Sequence, residues 1–471
     1  MHQLFGSRHV PHAALAALAL VAAEPEPQAL AQLRPPASRP QAIGHMGDPV
    51  LQLISSRPFL AATPQEQLSL LHSVHTTLLP LASDTRTTPL LDRLILICES
   101  PLYAKLDQRD RASAMRLASL DIPTFERFFV HQATNTTDHQ ESRSTTGRLS
   151  REHLSDSTGE SMFARLERLA DTPITPLGCS GRVAARQLIS VLTDPSTLRQ
   201  HANTCFPTVL VHHLAATAPA EYVRLSEELI TQEKTTTRCG LELSVHAAWL
   251  ERYMDEPYGF PARNLLPWAL FQALHARPLA DPEREVGLAE LPPGPDVARF
   301  IGCHTELRVR ENPESWRAAP GDILFLVGNE QNHGHVLQLK ALDGDYATVY
   351  DPAGPISVRA IVAALLGQEA RHEVDVSTPY ARMPREILAR ITQTSYRFAP
   401  CAEERPCFAL LRDERRVQVF ANRAAVQRFI DETSETSLAF RRGRGLVPTL
   451  VVLAGMATLA VFRLLSRSRT P

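Results

Sequence analysis

The sequence predicts an α+β protein. Two observations carry that reading: apolar residues recur three and four apart through residues 50–130 and again through 160–275, and short β-prone runs replace them between 299 and 350. A third excludes disorder, because a 44% hydrophobic fraction over 471 residues is enough to build a packed core. With 49 basic against 51 acidic side chains there is no basic surplus to coat a phosphate backbone, so nucleic acid is not an expected partner. Only three of the 49 basic residues are lysines (Lys105, Lys234, Lys340), the arginine bias expected of a GC-rich bacterial genome.

Read in order, residues 1–23 form a candidate signal peptide. Arg8 precedes an eleven-residue run of Ala, Leu and Val over 13–23, followed by small residues suited to cleavage. The Pro- and Gln-rich stretch 24–49 reads as a linker. Residues 50–133, with Leu68, Leu71, Leu78 and later Leu91, Leu94 and Ile95 at helical spacing, read as a helical accessory domain. At 134–160 the composition turns to Thr, Ser, Asn, His and Arg, which predicts a flexible or surface segment. The stretch from Asp322 to Val327 reads as a strand. Val336 to Leu342, Asp343-Gly344-Asp345 and Tyr346 to Tyr350 read as a hairpin with Asp-Gly as its turn. At the far end, 446–462 is seventeen uncharged residues flanked by Arg444 and Arg463, which predicts a single-pass membrane helix at the short limit of such spans. With the signal peptide, the bulk of the chain is expected outside the cytoplasm; without it, the protein is cytoplasmic and tail-anchored.

Seven cysteines, an odd number with no Cys-x-x-Cys pair, argue against a disulfide framework and a zinc site. One cysteine has a setting suited to chemistry. Cys205 stands just ahead of the apolar helical run Val209, Leu210, Val211 and Leu214, with Asn203 or Thr204 as cap and Pro207 in the first turn. Backbone N–H groups at a helix start stabilise a thiolate. Downstream, His335 follows Gly334 at the start of the hairpin's first strand, and Asp351 ends its second. Adjacent antiparallel strands bring such side chains together, so a carboxylate orients an imidazole whose other nitrogen faces the thiol. His333 is a weaker, substrate-side candidate. The neighbouring pair His212 and His213 reads as packing or surface rather than as metal ligands.

A cysteine opening a helix, then Gly-His-Val on a strand and Asp-Pro-x-Gly after the next, resembles the papain-like cysteine peptidase superfamily, especially its bacterial branches. The peptidase domains of bacteriocin-exporting transporters also pair a His-Val or His-Phe strand with Asp-Pro. The resemblance covers about 170–400, within a papain-like domain expected over 161–430. It implies Cys205 as nucleophile, His335 as general base and later acid, and Asp351 as orienting residue. It implies a peptide or protein substrate and no metal or organic cofactor. The family's oxyanion glutamine has Gln200 and Asn203 as candidates here, five and two residues before Cys205, since Arg199 stands at the sixth. Cys179 is a rival nucleophile, because Cys179-Ser180-Gly181 resembles the Asp-Cys-Ser-Gly element of papain-like cell-wall endopeptidases. Gly178 replaces that aspartate, and the long interval from Cys179 to His335 favours Cys205. Two other classes stay open: a non-catalytic membrane-held interaction module with Cys205 merely buried, and an acyl or amide transferase using the same three residues.

Overall fold

The computed structural model describes residues 49–78, 87–134, 154–200, 204–245, 262–275, 294–302, 304–309, 317–326, 335–376, 380–399, 408–412 and 415–420. The segments expected to be a signal peptide at 1–23, most of a linker at 24–49 and a membrane helix at 446–462 lie outside them. Among the described residues no helix is long and apolar enough to cross a membrane.

The architecture is α+β. Seven helices open it: α1 (Pro49–Ser55), α2 (Arg57–Ala61), α3 (Pro64–Leu78), α4 (Thr87–Glu99), α5 (Pro101–Lys105), α6 (Gln108–Ala118) and α7 (Ile122–Thr134). Then come α8 (Met162–Asp171), α9 (Gly181–Thr193), α10 (Cys205–Thr217), α11 (Pro219–Gln232), α12 (Ala262–His275) and α13 (Gly294–Ile301). A small antiparallel hairpin, β1 (Lys234–Thr236) with β2 (Glu242–Ser244), sits between α11 and α12.

The second half is built on β3 (His304–Val309), β4 (Ile323–Leu326), β5 (Val336–Asp343) and β6 (Tyr346–Tyr350). Helices α14 (Pro355–Leu366) and α15 (Gln368–His372) follow, then β7 (Ala381–Pro384), α16 (Arg385–Ile391), β8 (Thr392–Ala399), β9 (Phe408–Arg412) and β10 (Arg415–Phe420). These strands form one eight-stranded sheet in the order β10-β9-β3-β8-β4-β5-β6-β7. The order helices-then-strands holds only in outline, since three helices are inserted among the strands. The β3–β9 pair is also parallel where the others are antiparallel. The predicted hairpin is present, with Asp343 opposite Tyr346.

The helices of 49–134 pack against the helices that follow them. A single core cluster runs from Val50 to Tyr396. Phe129 on α7 stacks parallel to Phe163 on α8, with ring centroids 6.1 Å apart. Ser113 on α6 donates to Glu167 on α8 at 2.6 Å. The physical reason is elementary: an amphipathic helix must bury its apolar stripe, and these helices find their cover in α8 and α9.

The polar segment also ends earlier than its composition predicts. Residues 154–160 close into a turn, with Ser155 bridged to Ser161 and the amide of Asp156 donating to Glu160 O at 2.9 Å. Asp156 is buried, because Arg165 reaches it from α8. At the next junction α9 begins against the end of α8. A Cβ on Gly181 would lie 1.9 Å from the Leu169 carbonyl oxygen, so that approach admits only glycine.

Candidate active site

Helix α10 is apolar almost all round, and its residues from Cys205 to His212 are buried without exception. Such a helix belongs in a core. Three side chains fix it to the sheet. Phe206 packs on Phe325 of β4 and Tyr396 of β8, with ring centroids at 5.2 and 5.7 Å. His212 stacks on Tyr350 of β6 at 3.9 Å. His213 bonds Gln338 of β5 through Nδ1 at 3.0 Å. Cys205 is the first residue of the helix, with 5% of its surface exposed. Pro207 falls in the first turn, where an N–H has no intrahelical acceptor to lose.

The hairpin supplies the partners. His335 precedes the first residue of β5 rather than opening the strand, but it is held there because its carbonyl accepts from Leu326 N of β4 at 2.9 Å. Asp351 follows the last residue of β6. His335 Nε2 lies 2.7 Å from Asp351 Oδ1. The Cys205 side chain lies close enough to the ring to add to its hold on a proton. With Nε2 engaged by the carboxylate, Nδ1 is the nitrogen left for sulfur. The structure thus brings Cys205 together with His335 and Asp351, which lie more than a hundred positions further along the chain.

Asp351 is fully buried, and a bare carboxylate there would be costly. It is satisfied by its own turn. Oδ1 also accepts from Ala353 N at 2.7 Å, and Oδ2 accepts from the Ser357 hydroxyl in the first turn of α14. The turn needs Gly354, whose φ of 105° is a conformation other residues avoid, before Pro355 starts the helix.

Immediately upstream of α10, three consecutive residues dock onto three others around Asp351. Tyr350 Oη donates to Leu198 O at 2.7 Å, Arg199 Nη1 donates to Asp351 O at 3.3 Å, and Gln200 N donates to Pro352 O at 2.9 Å. Gln200, predicted as an oxyanion donor, therefore lies beside the Asp351 turn. Its side-chain oxygen is buried with no hydrogen-bond partner among the described residues. The other candidate, Asn203, lies outside the described residues, as does His333.

The electrostatics separate three histidines that burial alone would treat alike. Burial pushes His213 down to about 3, with the nearby Lys340 charge adding to it, and it drives His212 well below the ordinary imidazole range. Burial also pushes His335 down. There the Asp351 carboxylate, through charge and hydrogen bond, and then Cys205 outweigh it and raise His335 to about 10. His335 is thus the one of these three that carries a proton at neutral pH.

Cys179, the rival nucleophile, sits in a turn ahead of α9. Its sulfur is 3.1 Å from Thr175 Oγ1, and burial pushes its thiol up. It is Cys205, not Cys179, that meets His335.

Reasoning from sequence missed Ser357 and the 198–200 strap. The signal for Ser357 was present, since Gly354-Pro355 marks a helix start and places a serine in its first turn. Among the described residues, no group of His, Cys, Asp and Glu side chains is arranged to hold a metal ion. No protein-family model matches this chain, and no curated protein or solved structure matches it either.

Proposed function

We propose that the protein is a cysteine hydrolase of papain-like type, acting on peptide or related amide bonds. The observation that carries the proposal is the placement of the His335 ring, 2.7 Å from Asp351 on one side and beside Cys205, the first residue of a buried helix, on the other. In this scheme sulfur and ring act as a thiolate–imidazolium pair at the start of α10. The thiolate attacks the carbonyl carbon and the oxygen becomes an oxyanion. His335 then gives its proton to the departing amine as the C–N bond breaks, leaving a thioester. His335 next accepts a proton from water as water attacks that thioester; the acid leaves and the thiolate and imidazolium are restored. The Cys205 N–H, free of any intrahelical acceptor at the helix start, and the Gln200 amide are the oxyanion donors in this scheme.

The family resemblance and the anchor at 446–462 belong to the same proposal: a single-pass envelope protein with its bulk outside the cytoplasm, or a cytoplasmic tail-anchored one. One observation favours a second reading, a non-catalytic module, and that is the burial of Cys205.

Labelling the full chain at pH 7 with iodoacetamide or an E-64-type epoxide, followed by peptide mass spectrometry, decides between them. Burial pushes Cys98 up to about 12 and also raises Cys179, so neither competes at neutral pH. The hydrolase reading predicts that Cys205 labels first and that Cys205→Ala removes both this label and any amide turnover. Equal, slow labelling of several cysteines would overturn it in favour of the module.

A further inference from the structure

We propose that Ser357 is a positioning residue for the Cys205–His335–Asp351 arrangement, acting through the second oxygen of Asp351. The inference rests on the hydrolase reading for its consequence, but on separate geometry for its substance. Asp351 is fully buried, and its Oδ1 is taken up by His335 Nε2 and Ala353 N, both at 2.7 Å. That leaves Oδ2, whose donor is the Ser357 hydroxyl. Ser357 has one hydroxyl proton and two acceptors in reach, Asp351 Oδ2 and Gly354 O, the latter at 2.9 Å. The charged acceptor takes it, because a charge-assisted bond is the stronger.

Two donors on one carboxylate oxygen do not fix the plane of the group; a donor on the other oxygen does. Ser357 is itself held, since it is buried in the first turn of α14 and its backbone N–H donates to Gly354 O at 3.0 Å. The helix start therefore sets the hydroxyl, the hydroxyl sets the carboxylate plane, and the carboxylate sets the ring that faces Cys205. Without Ser357, Oδ2 is a buried anionic oxygen lacking a donor, and the carboxylate gains by turning from His335 toward another one.

The test uses the full chain as wild type, Ser357→Ala, Ser357→Thr, Asp351→Asn and the Ser357→Ala/Asp351→Asn double variant. The rate of Cys205 alkylation by iodoacetamide and the protected His335 Nε2–H proton signal in NMR are both read. We expect Ser357→Ala to slow alkylation at pH 7 about tenfold, the effect of losing one hydrogen bond to a charged group. Ser357→Thr should restore the rate, and Ser357→Ala should have no further effect on top of Asp351→Asn. The Nε2–H signal should broaden in Ser357→Ala and return in Ser357→Thr. An equal loss in the Asp351→Asn background, or an unchanged rate and proton signal in Ser357→Ala, would overturn the role. The proton signal does not depend on sulfur reactivity. If wild-type Cys205 fails to label first while the signal still depends on Ser357, the hydrolase reading falls and the positioning role stands.

Discussion

Replacing His335 with glutamine is expected to slow alkylation of Cys205 at pH 7, and amide turnover with it, by about 10³-fold, the scale of one positioned acid–base group. Glutamine keeps a donor for Asp351 and fills similar space, so the fold should survive, and near-UV circular dichroism checks that. What is lost is the proton. The ring holds it because Asp351 and Cys205 outweigh the burial that pushes it off, giving a value of about 10. The sign for stability follows. A histidine raised in the folded state stabilises fully below its ordinary range near about 6.5, and that contribution disappears as pH climbs through the raised value. Wild-type turnover should therefore fall above about pH 10, where no imidazolium remains to protonate the leaving amine. His335→Gln should lack that limb altogether. A variant alkylated at the wild-type rate would remove His335 from the chemistry.

The second large effect is on folding. Arg165→Met is expected to cost about 3–5 kcal/mol, the usual result of removing one partner from a buried ionic cluster. The Arg165 side chain is 7% exposed and bonds Asp156, Thr158 Oγ1 at 3.1 Å and Glu227 Oε2 at 2.8 Å, with Glu160 and Glu228 at 3.3 and 3.5 Å. It ties the 154–160 turn and α8 to α11, which packs against α10. Methionine would leave Asp156 buried without its cation and Glu227 with Arg168 alone, at 3.0 Å. For Asp156, burial acts to raise the carboxyl, but bonds from Thr158 and Arg165 outweigh it and hold it below the ordinary range. A lowered carboxyl stabilises above its ordinary range and loses that contribution as pH falls through the depressed value. Urea unfolding at pH 7 should show the loss, and acid unfolding of the variant should begin at higher pH than in wild type. A change below about 1 kcal/mol would mean the cluster is a solvated one.

What could be read from sequence, and what could not, divides along the range of the interactions. The start of α10 was legible because Pro207 and the apolar run after it are local signals, and Asp343-Gly344 marked the hairpin whose ends carry His335 and Asp351. The order of the sheet was not. Strand β8 lies between β3 and β4, with Tyr396 opposite both Leu307 and Ile323, and no local period encodes a pairing across some seventy or more residues. The polar stretch ending at 160 concealed a buried carboxylate because composition registers Asp156 as hydrophilic and cannot register the arginine that meets it. The strap from Leu198 to Gln200 is likewise invisible, since all three of its contacts end on backbone carbonyls of ordinary residues.

The most direct test of the central claim is an NMR titration of the His335 ring in the full-length protein, read against the Asp351→Asn variant. The ring is expected to stay protonated through neutral pH with a midpoint near 10, and the midpoint to drop sharply once the carboxylate is neutralised. A wild-type midpoint near the ordinary imidazole value of about 6.5, unmoved by Asp351→Asn, would contradict it.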